Sequence, residues 1–169
     1  MVYTYGMETE YRLIRDRDSE AFAEMMRKHS SENPFSLYLP QEVSGRLIEA
    51  SHYLKSVKNS SFIMIALSDN RMVAACHVSV AYGVRLCHRA GISLIALRNS
   101  GGIPSRLLSL AIDEAKERGV SKLDAEVCSE DQDSISVFRE NGFAVEGTRS
   151  RFLDIDGSYK DSVLLGLEI

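Results

Sequence analysis

Three apolar, partly β-branched runs follow one another in the middle of the chain, at residues 61–67, at 72–80, and from after a Tyr82-Gly83 turn to about Leu97. Runs of this length and composition are typical of buried strands. The first two are separated by the polar tetrapeptide Ser-Asp-Asn-Arg at 68–71, which favours a hairpin. The sequence therefore predicts three consecutive strands, and any fold for this chain has to accommodate them in a sheet.

An amphipathic helix follows this block of strands. From residue 103 onward the apolar residues recur at helical spacing and share one face; they are Leu107, Leu110, Ala111 and Ala115. Gly119 stands where a left-handed residue at the C-terminal end of a helix belongs. The pattern predicts a helix that is bounded at both ends.

The chain before residue 61 predicts one strand and two helices. Residues 11–15 are typical of a strand, and Asp18-Ser19 can cap a helix. The inward-facing residues predicted for this helix are Ala21, Phe22, Met25 and Met26. A loop-like stretch at 30–40 separates it from a second helical pattern, Val43 to about Val57.

The C-terminal part predicts a strand at 123–128, a short helix and two final strands. Asp131 can cap the helix, which ends at Asn141-Gly142. The strands at 143–154 and 159–169 are joined across Asp156-Gly157, a strong hairpin signal. The order is strand, helix, helix, three strands, helix, strand, helix, two strands, which indicates a mixed α/β layer system.

Composition indicates one ordinary globular domain. The chain has 169 residues, 44% hydrophobic and 26% charged, and we assign 1–10 to an N-terminal leader and 11–169 to a single domain. The start lacks a signal peptide pattern and no apolar stretch approaches a membrane span, so we expect a cytoplasmic protein without a membrane partner. The net charge of −4 argues against nucleic-acid binding.

Three cysteines, Cys76, Cys87 and Cys128, are odd in number and lack the close pairing of metal-binding motifs. This pattern favours free thiols in a reducing environment, and we expect them to be buried and inert.

A glycine-bearing loop, residues 99–105, lies between the third predicted strand of the block and the amphipathic helix. Backbone N–H groups and the helix dipole can hold a pyrophosphate at such a position. Loops of this kind also turn chains without binding a ligand. The loop alone therefore leaves both interpretations open.

The flanking sequence resembles the GNAT superfamily of N-acetyltransferases, whose acetyl-CoA loop runs Gln/Arg-x-x-Gly-x-Gly/Ala. Residues 102–108, Gly-Ile-Pro-Ser-Arg-Leu-Leu, fall on this motif without a gap, and the match continues through 115–119. Residues 126–131 and 137–143 resemble the family's next strand and helix. The tail, with Glu146-Gly147 and Asp156-Gly157, is similar to the ribosomal-protein and small-amine acetyltransferase branch.

The resemblance implies an α/β (α+β) fold with a mixed, mostly antiparallel central sheet, a splayed fourth strand and helices on both faces. It implies acetyl-CoA as cosubstrate, no metal, and a primary amine as acceptor, either a small molecule or a protein N-terminus, which attacks the thioester directly. It assigns Glu126 as the general base. The cofactor-binding residues that it implies are Ile92, Ser93, Leu94, Asn99, Ser100, Gly101, Gly102, Ile103, Pro104, Ser105, Asp131 and Phe138.

Four of these positions depart from the family's pattern. Asn99 replaces Gln or Arg, and Pro104 replaces a small residue and lacks an N–H donor. Phe138 replaces a tyrosine that commonly protonates the leaving thiolate, and Asp131 replaces an asparagine. The strand after Arg85 has no acidic residue up to Leu97, which leaves His88 as a candidate substitute.

Three hypotheses follow from these observations. The first is a working N-acetyltransferase, and the second is a catalytically impaired member of the fold that binds acyl-CoA or a partner in a regulatory role. The third is an interaction module without a cofactor. The long terminal hairpin could offer an edge for a homodimer.

Overall fold

The computed structural model describes residues 9–44 and 61–169. In chain order the elements are β1 (Thr9–Leu13), a 3₁₀ turn (Asp16–Asp18), α1 (Ser19–Glu32), α2 (Pro40–Ser44), β2 (Phe62–Ser68), β3 (Arg71–Val80), β4 (Arg89–Ala96), α3 (Ile103–Glu117), β5 (Lys122–Cys128), α4 (Gln132–Glu140), β6 (Ala144–Ile155) and β7 (Ser158–Glu168).

The strands form one seven-stranded sheet in the order β1-β2-β3-β4-β5-β7-β6. Every neighbouring pair is antiparallel except β4 and β5, which run parallel. Their pairing covers only three positions, from Arg89 opposite Lys122 to Gly91 opposite Asp124. Beyond Gly91 the two strands separate, so β4 is the splayed fourth strand that the family resemblance implied.

Two apolar clusters cover opposite faces of the sheet. The α1 cluster contains Phe22 and Met25 against Ile65 and Ala75. The α3 cluster contains Leu107, Leu108 and Phe138 against Cys76 and Val78. Ala75 and Cys76 are adjacent in β3 and point to opposite faces, because side chains alternate along a strand. The fold class is thus confirmed: a mixed α/β sheet with helices on both faces.

The predicted tight turns are confirmed by their backbone angles. Asp69 and Asn70 have φ values of 49° and 60°, and Asp156 and Gly157 have 52° and 81°. Two successive positive φ values are typical of the hairpin turns whose twist matches that of the strands. Gly119 has a φ of 84° and ends α3 as predicted.

Several predicted boundaries were wrong. The third strand begins at Arg89, because residues 82–88 form turns. Val84 and Leu86, which were predicted in the strand, are 94% and 47% exposed, so their apolar character does not reflect a strand. The first strand begins at Thr9, inside the predicted leader.

Smaller corrections concern side chains and the second helix. In α1 the buried alanine is Ala23, and Ala21 is exposed. Cys87 is also exposed, whereas Cys76 and Cys128 are buried free thiols as predicted. Of the helix predicted at 43–57, α2 contains Val43, and the part from residue 45 lies outside the described residues.

Candidate active site

A cavity of about 470 Å³ opens where β4 and β5 separate. It is lined by residues of the α1 cluster, such as Phe22 and Ala75, and by Ile92 and Phe138 of the α3 cluster. Because these clusters lie on opposite faces of the sheet, the cavity passes between the two strands.

The polypeptide backbone of β4 presents hydrogen-bonding groups to this gap. Hydrogen-bonded pairs alternate along an antiparallel ladder, and Leu97 donates to Val73 O at 2.9 Å. Val73 and Leu97 are therefore a hydrogen-bonded pair, and every second pair from there is hydrogen-bonded too. Ser93 and His77 form one of these pairs. The N–H and C=O groups of Ile92 and Leu94 point away from β3, toward β5.

This arrangement changes the role implied for Ser93. Its peptide groups face β3, so they are not directed into the gap as the resemblance implied for residues 92–94. Its side chain does line the cavity, together with those of Ile92 and Leu94. The carbonyl of Ala96, two residues beyond Leu94, accepts a hydrogen bond from His29 Nδ1 at 2.8 Å, which ties the end of α1 to β4.

The glycine-bearing loop turns sharply between β4 and α3. Asn99 and Gly101 have φ values of 62° and 56°, and the Ser100 hydroxyl donates to Leu97 O at 2.6 Å. Ile103 N donates to Ser100 O at 3.1 Å. The loop thus has a defined conformation held by its own hydrogen bonds.

The start of α3 leaves several amides available to a ligand. Within residues 9–44 and 61–169, the amides of Gly101, Gly102 and Ser105 donate no hydrogen bond. Pro104 lacks an N–H and occupies the first turn, where its ring fits the helix. The Ser105 hydroxyl accepts from Asn141 Nδ2 at 2.9 Å. These amides and the helix dipole favour an anion at this position.

The loop and the cavity are separate parts of the site. Residues 99–105 do not contribute to the lining of the cavity, whereas Ile92, Leu94, Glu126, Asp131 and Phe138 do. The residues predicted from the sequence therefore divide into a cavity group and a loop group, which lies just beyond the end of β4.

Glu126 lies on β5 with its carboxylate at the cavity. Its Oε1 accepts from the Ser162 hydroxyl at 2.6 Å, and its Oε2 accepts from Arg149 Nη1 at 2.9 Å. Ser162 on β7 is fully buried, whereas the Arg149 side chain on β6 is mostly exposed. The carboxylate is therefore fixed from the terminal hairpin, and it brings a negative charge to the cavity.

Asp131 caps α4, as the sequence predicted. Its Oδ1 accepts from Ser134 N at 3.1 Å, and its Oδ2 accepts from the Ser134 hydroxyl at 2.9 Å. Asn33, which follows α1, also donates to Oδ2 at 3.4 Å. The cap therefore joins the ends of two helices at the edge of the cavity.

Phe138 is 2% exposed and packs edge-on against Phe143, with ring centroids 5.0 Å apart. It lines the cavity with an apolar ring, which cannot donate a proton. Its position is set by α4, where it also contributes to the core.

His88, the candidate substitute base, is exposed in the 82–88 segment and does not line the cavity. Two other histidines that the sequence analysis missed, His29 and His77, do line it. His77 lies in the middle of an apolar run, which gave no sequence signal of a polar site. Its placement depends on the strand register alone.

No group of three or more histidine, cysteine or acidic side chains among residues 9–44 and 61–169 is arranged to hold a metal ion. In the same part of the chain, no helix combines the length and apolar character needed to cross a membrane.

Comparison with known proteins gives a consistent classification. The model of the acetyltransferase (GNAT) domain matches residues 11–164. A GNAT-family acetyltransferase from Streptococcus pneumoniae is 20% identical, with a TM-score of 0.80 over 96% of this chain and 100% of its own. A ribosomal-protein-S5-alanine acetyltransferase from Vibrio fischeri is 20% identical, with a TM-score of 0.76 over 99% and 97%.

A third solved structure, of an acetyltransferase from Salmonella typhimurium with its cofactor acetyl-CoA, is 17% identical, with a TM-score of 0.76 over 95% of this chain and 93% of its own. A comparison with curated protein sequences finds no match. Since the domain model covers most of the sequence, the chain belongs to the GNAT acetyltransferase family.

Proposed function

We propose that the protein is an N-acetyltransferase that moves an acetyl group from acetyl-CoA to a primary amine, either a small molecule or a protein N-terminus. The observation that carries this proposal is the gap between β4 and β5, where residues from both faces of the sheet line one cavity and unpaired loop amides lie just beyond the end of β4. Similar structures include one with acetyl-CoA and one ribosomal-protein acetyltransferase in complex with coenzyme A.

The cosubstrate fits this site through backbone groups. The peptide groups of Ile92 and Leu94 face the gap and can pair with an amide-bearing pantetheine chain as a neighbouring strand would. The amides of Gly101, Gly102 and Ser105 can receive the pyrophosphate at the helix N-terminus. Because these contacts use the main chain, they tolerate changes of side chain at positions such as Asn99.

The amine enters from the α1 side and meets Glu126. The carboxylate attracts the ammonium and accepts its proton, directly or through a water molecule. Arg149 and Ser162 hold both of its oxygens, so its position is fixed before the substrate arrives. Holding the amine and the thioester in line contributes about 7–11 kcal/mol in well-oriented reactions, and no covalent enzyme intermediate is required.

A second function is favoured by Phe138 and Pro104. A phenylalanine cannot protonate the leaving thiolate, and an imino acid cannot donate to the pyrophosphate. These two residues fit a member of the family that binds acyl-CoA without efficient turnover. In this case the cavity would hold the ligand for a regulatory purpose.

Two measurements separate these functions. Isothermal titration calorimetry tests acetyl-CoA binding, and release of free CoA thiol tests turnover with a panel of amines and peptide N-termini. Binding with turnover supports the acetyltransferase, and binding with no turnover across the panel supports the regulatory alternative. Absence of both binding and turnover contradicts each of them.

A variant pair tests the role of Glu126. Glu126→Gln should lower kcat by about 10²–10⁴-fold, the usual contribution of a general base, and should leave the affinity for acetyl-CoA unchanged. Glu130→Gln is the matched control, because Glu130 is a neighbouring carboxylate that pairs with Lys160 on the surface. Equal activity of both variants would remove Glu126 from the mechanism.

A further inference from the structure

His77 occupies the wall of the cavity on the side from which the amine enters. It lies on β3 and is the cross-strand partner of Ser93 on β4, so the two side chains share one face of the sheet. Both line the cavity, as does Glu126 on β5. His77 on β3 and Glu126 on β5 therefore lie on either side of β4, and both side chains line the same cavity.

The surroundings of His77 keep its imidazole neutral at physiological pH. On its face of the sheet it lies beside buried Ala75 on β3 and opposite buried Ile63 on β2, and burial lowers its pKa below the ordinary value of 6.5. A neutral imidazole has one nitrogen that accepts a proton and one that carries a proton. Such a group is suited to general base catalysis in an apolar cavity.

The proposed reaction removes two protons from the amine nitrogen, and a single carboxylate accounts for only one of them. An ammonium must lose a proton before it can attack. When its lone pair forms the N–C bond and the carbonyl π pair moves to oxygen, the nitrogen becomes cationic again. It must lose a second proton to become an amide, as the C–S bond breaks and its electron pair leaves with sulfur.

We propose that His77 is a second catalytic base, which accepts the proton released by the nitrogen after attack, while Glu126 accepts the first. The thiolate is protonated from solvent, since Phe138 has no proton to give. The sum is ammonium plus acetyl-CoA giving the amide, CoA thiol and one proton released to solvent. This inference rests on the proposed acetyltransferase function.

Other titratable groups face the same cavity and must be distinguished from His77. Among residues 9–44 and 61–169 they are His29 on α1, Tyr38 in the segment after α1, Glu126 and Cys128 on β5, and Asp131 at the start of α4. His29 donates through Nδ1 to Ala96 O, and Asp131 is occupied as a helix cap. Ser93 on β4 and Ile63 on β2, the residues opposite His77 in the sheet, do not titrate.

The pH profile of kcat/KM is the first test. His77 must be neutral to accept a proton, so activity should fall as the pH drops through its pKa, below 6.5. In His77→Gln this limb should disappear and kcat should decrease by about 10²-fold, with the dissociation constant of acetyl-CoA unchanged. His88→Gln is the matched control, because His88 is exposed outside the cavity, and it should retain the wild-type profile.

An acceptor that is already neutral at the assay pH, such as trifluoroethylamine, separates the two bases. It does not require the first proton transfer, so the loss of kcat caused by Glu126→Gln should shrink with this amine, whereas the loss of kcat caused by His77→Gln should persist.

NMR titration of the wild-type His77 imidazole provides a measurement without substitution, and the pKa of His77 should coincide with the acidic limb of the rate profile.

The inference is overturned if His77→Gln retains kcat within a few-fold of wild type, if its acidic limb persists, or if the NMR pKa lies away from that limb. Loss of acetyl-CoA binding in both His77→Gln and His77→Asn would make the residue structural and also overturn it. A wild-type protein that turns over no amine would instead remove the proposed function, and this inference with it.

Discussion

Replacing Asp131 with alanine should destabilise the protein through the loss of one helix cap. Asp131 accepts hydrogen bonds from the amide and the hydroxyl of Ser134. Because α4 has nine residues, no residue of the helix lies far from this cap. Removing an aspartate cap costs about 1 kcal/mol, within a range of roughly 0.5–2 kcal/mol. For a domain of this size, that lowers Tm by about 2–4 °C.

Asp131→Asn is the control for this prediction, since asparagine retains an oxygen that can accept from Ser134 N and is an equally good cap. Thermal unfolding followed by circular dichroism, with urea unfolding at neutral pH, measures both variants. Asp131→Ala should be clearly less stable than Asp131→Asn. Equal loss in the two variants would mean that the charge, rather than the cap, stabilises α4, and an unchanged Tm in Asp131→Ala would refute the reasoning.

Three further outcomes are expected. Leu108→Ala, at a fully buried position of the α3 cluster, should lower the free energy of unfolding by about 2–5 kcal/mol in urea titrations. Asp18→Asn should lower stability at neutral pH by about 1.5–3 kcal/mol, because Arg12 holds the pKa of Asp18 below its usual value. This difference should vanish as the pH falls through that lowered pKa, where wild-type Asp18 also becomes protonated. Pro104→Ala should tighten acetyl-CoA binding about tenfold by calorimetry, because it supplies one more amide donor.

Each of these outcomes has a contrary result. Val84→Ala, at a 94% exposed position, should be nearly neutral, and a loss similar to that of Leu108→Ala would disprove the packing argument. A stability difference for Asp18→Asn that stays constant in acid would exclude the Arg12 ion pair as its cause. Unchanged affinity in Pro104→Ala would mean that no ligand atom lies at this position.

The parts of the fold that could be predicted are those coded by local pattern. The hairpin at Asp69-Asn70 and the cap at Asp131 depend on residues near one another in sequence, and both are found as predicted. The segment 84–88 was wrongly predicted as part of a strand because Val84 and Leu86 are apolar yet exposed. Hydrophobic pattern indicates a strand only when the residues are buried, and burial is decided by the tertiary structure.

The candidate site was less predictable because it is assembled by register across the sheet. The resemblance named Glu126 as a candidate base, but its partner Ser162 lies 36 residues away and reaches it only through the pairing of β5 with β7. His77 reaches the cavity by the alternation of β3, and a one-residue shift would turn it to the other face. Local sequence carries no signal for either contact.

The sheet consists of two hydrogen-bonded blocks, one formed by β1, β2, β3 and β4 and the other by β5, β7 and β6. Only the three paired positions between β4 and β5 connect them. A molecule that lies along the exposed side of β4 would act as a surrogate strand and make the sheet more continuous. Binding of such a molecule should therefore slow amide hydrogen exchange at Ile92 and Leu94. The slowing should be much larger there than in β6 and β7, which already pair with each other. The rigidity of the sheet at β4 would then depend on the bound ligand.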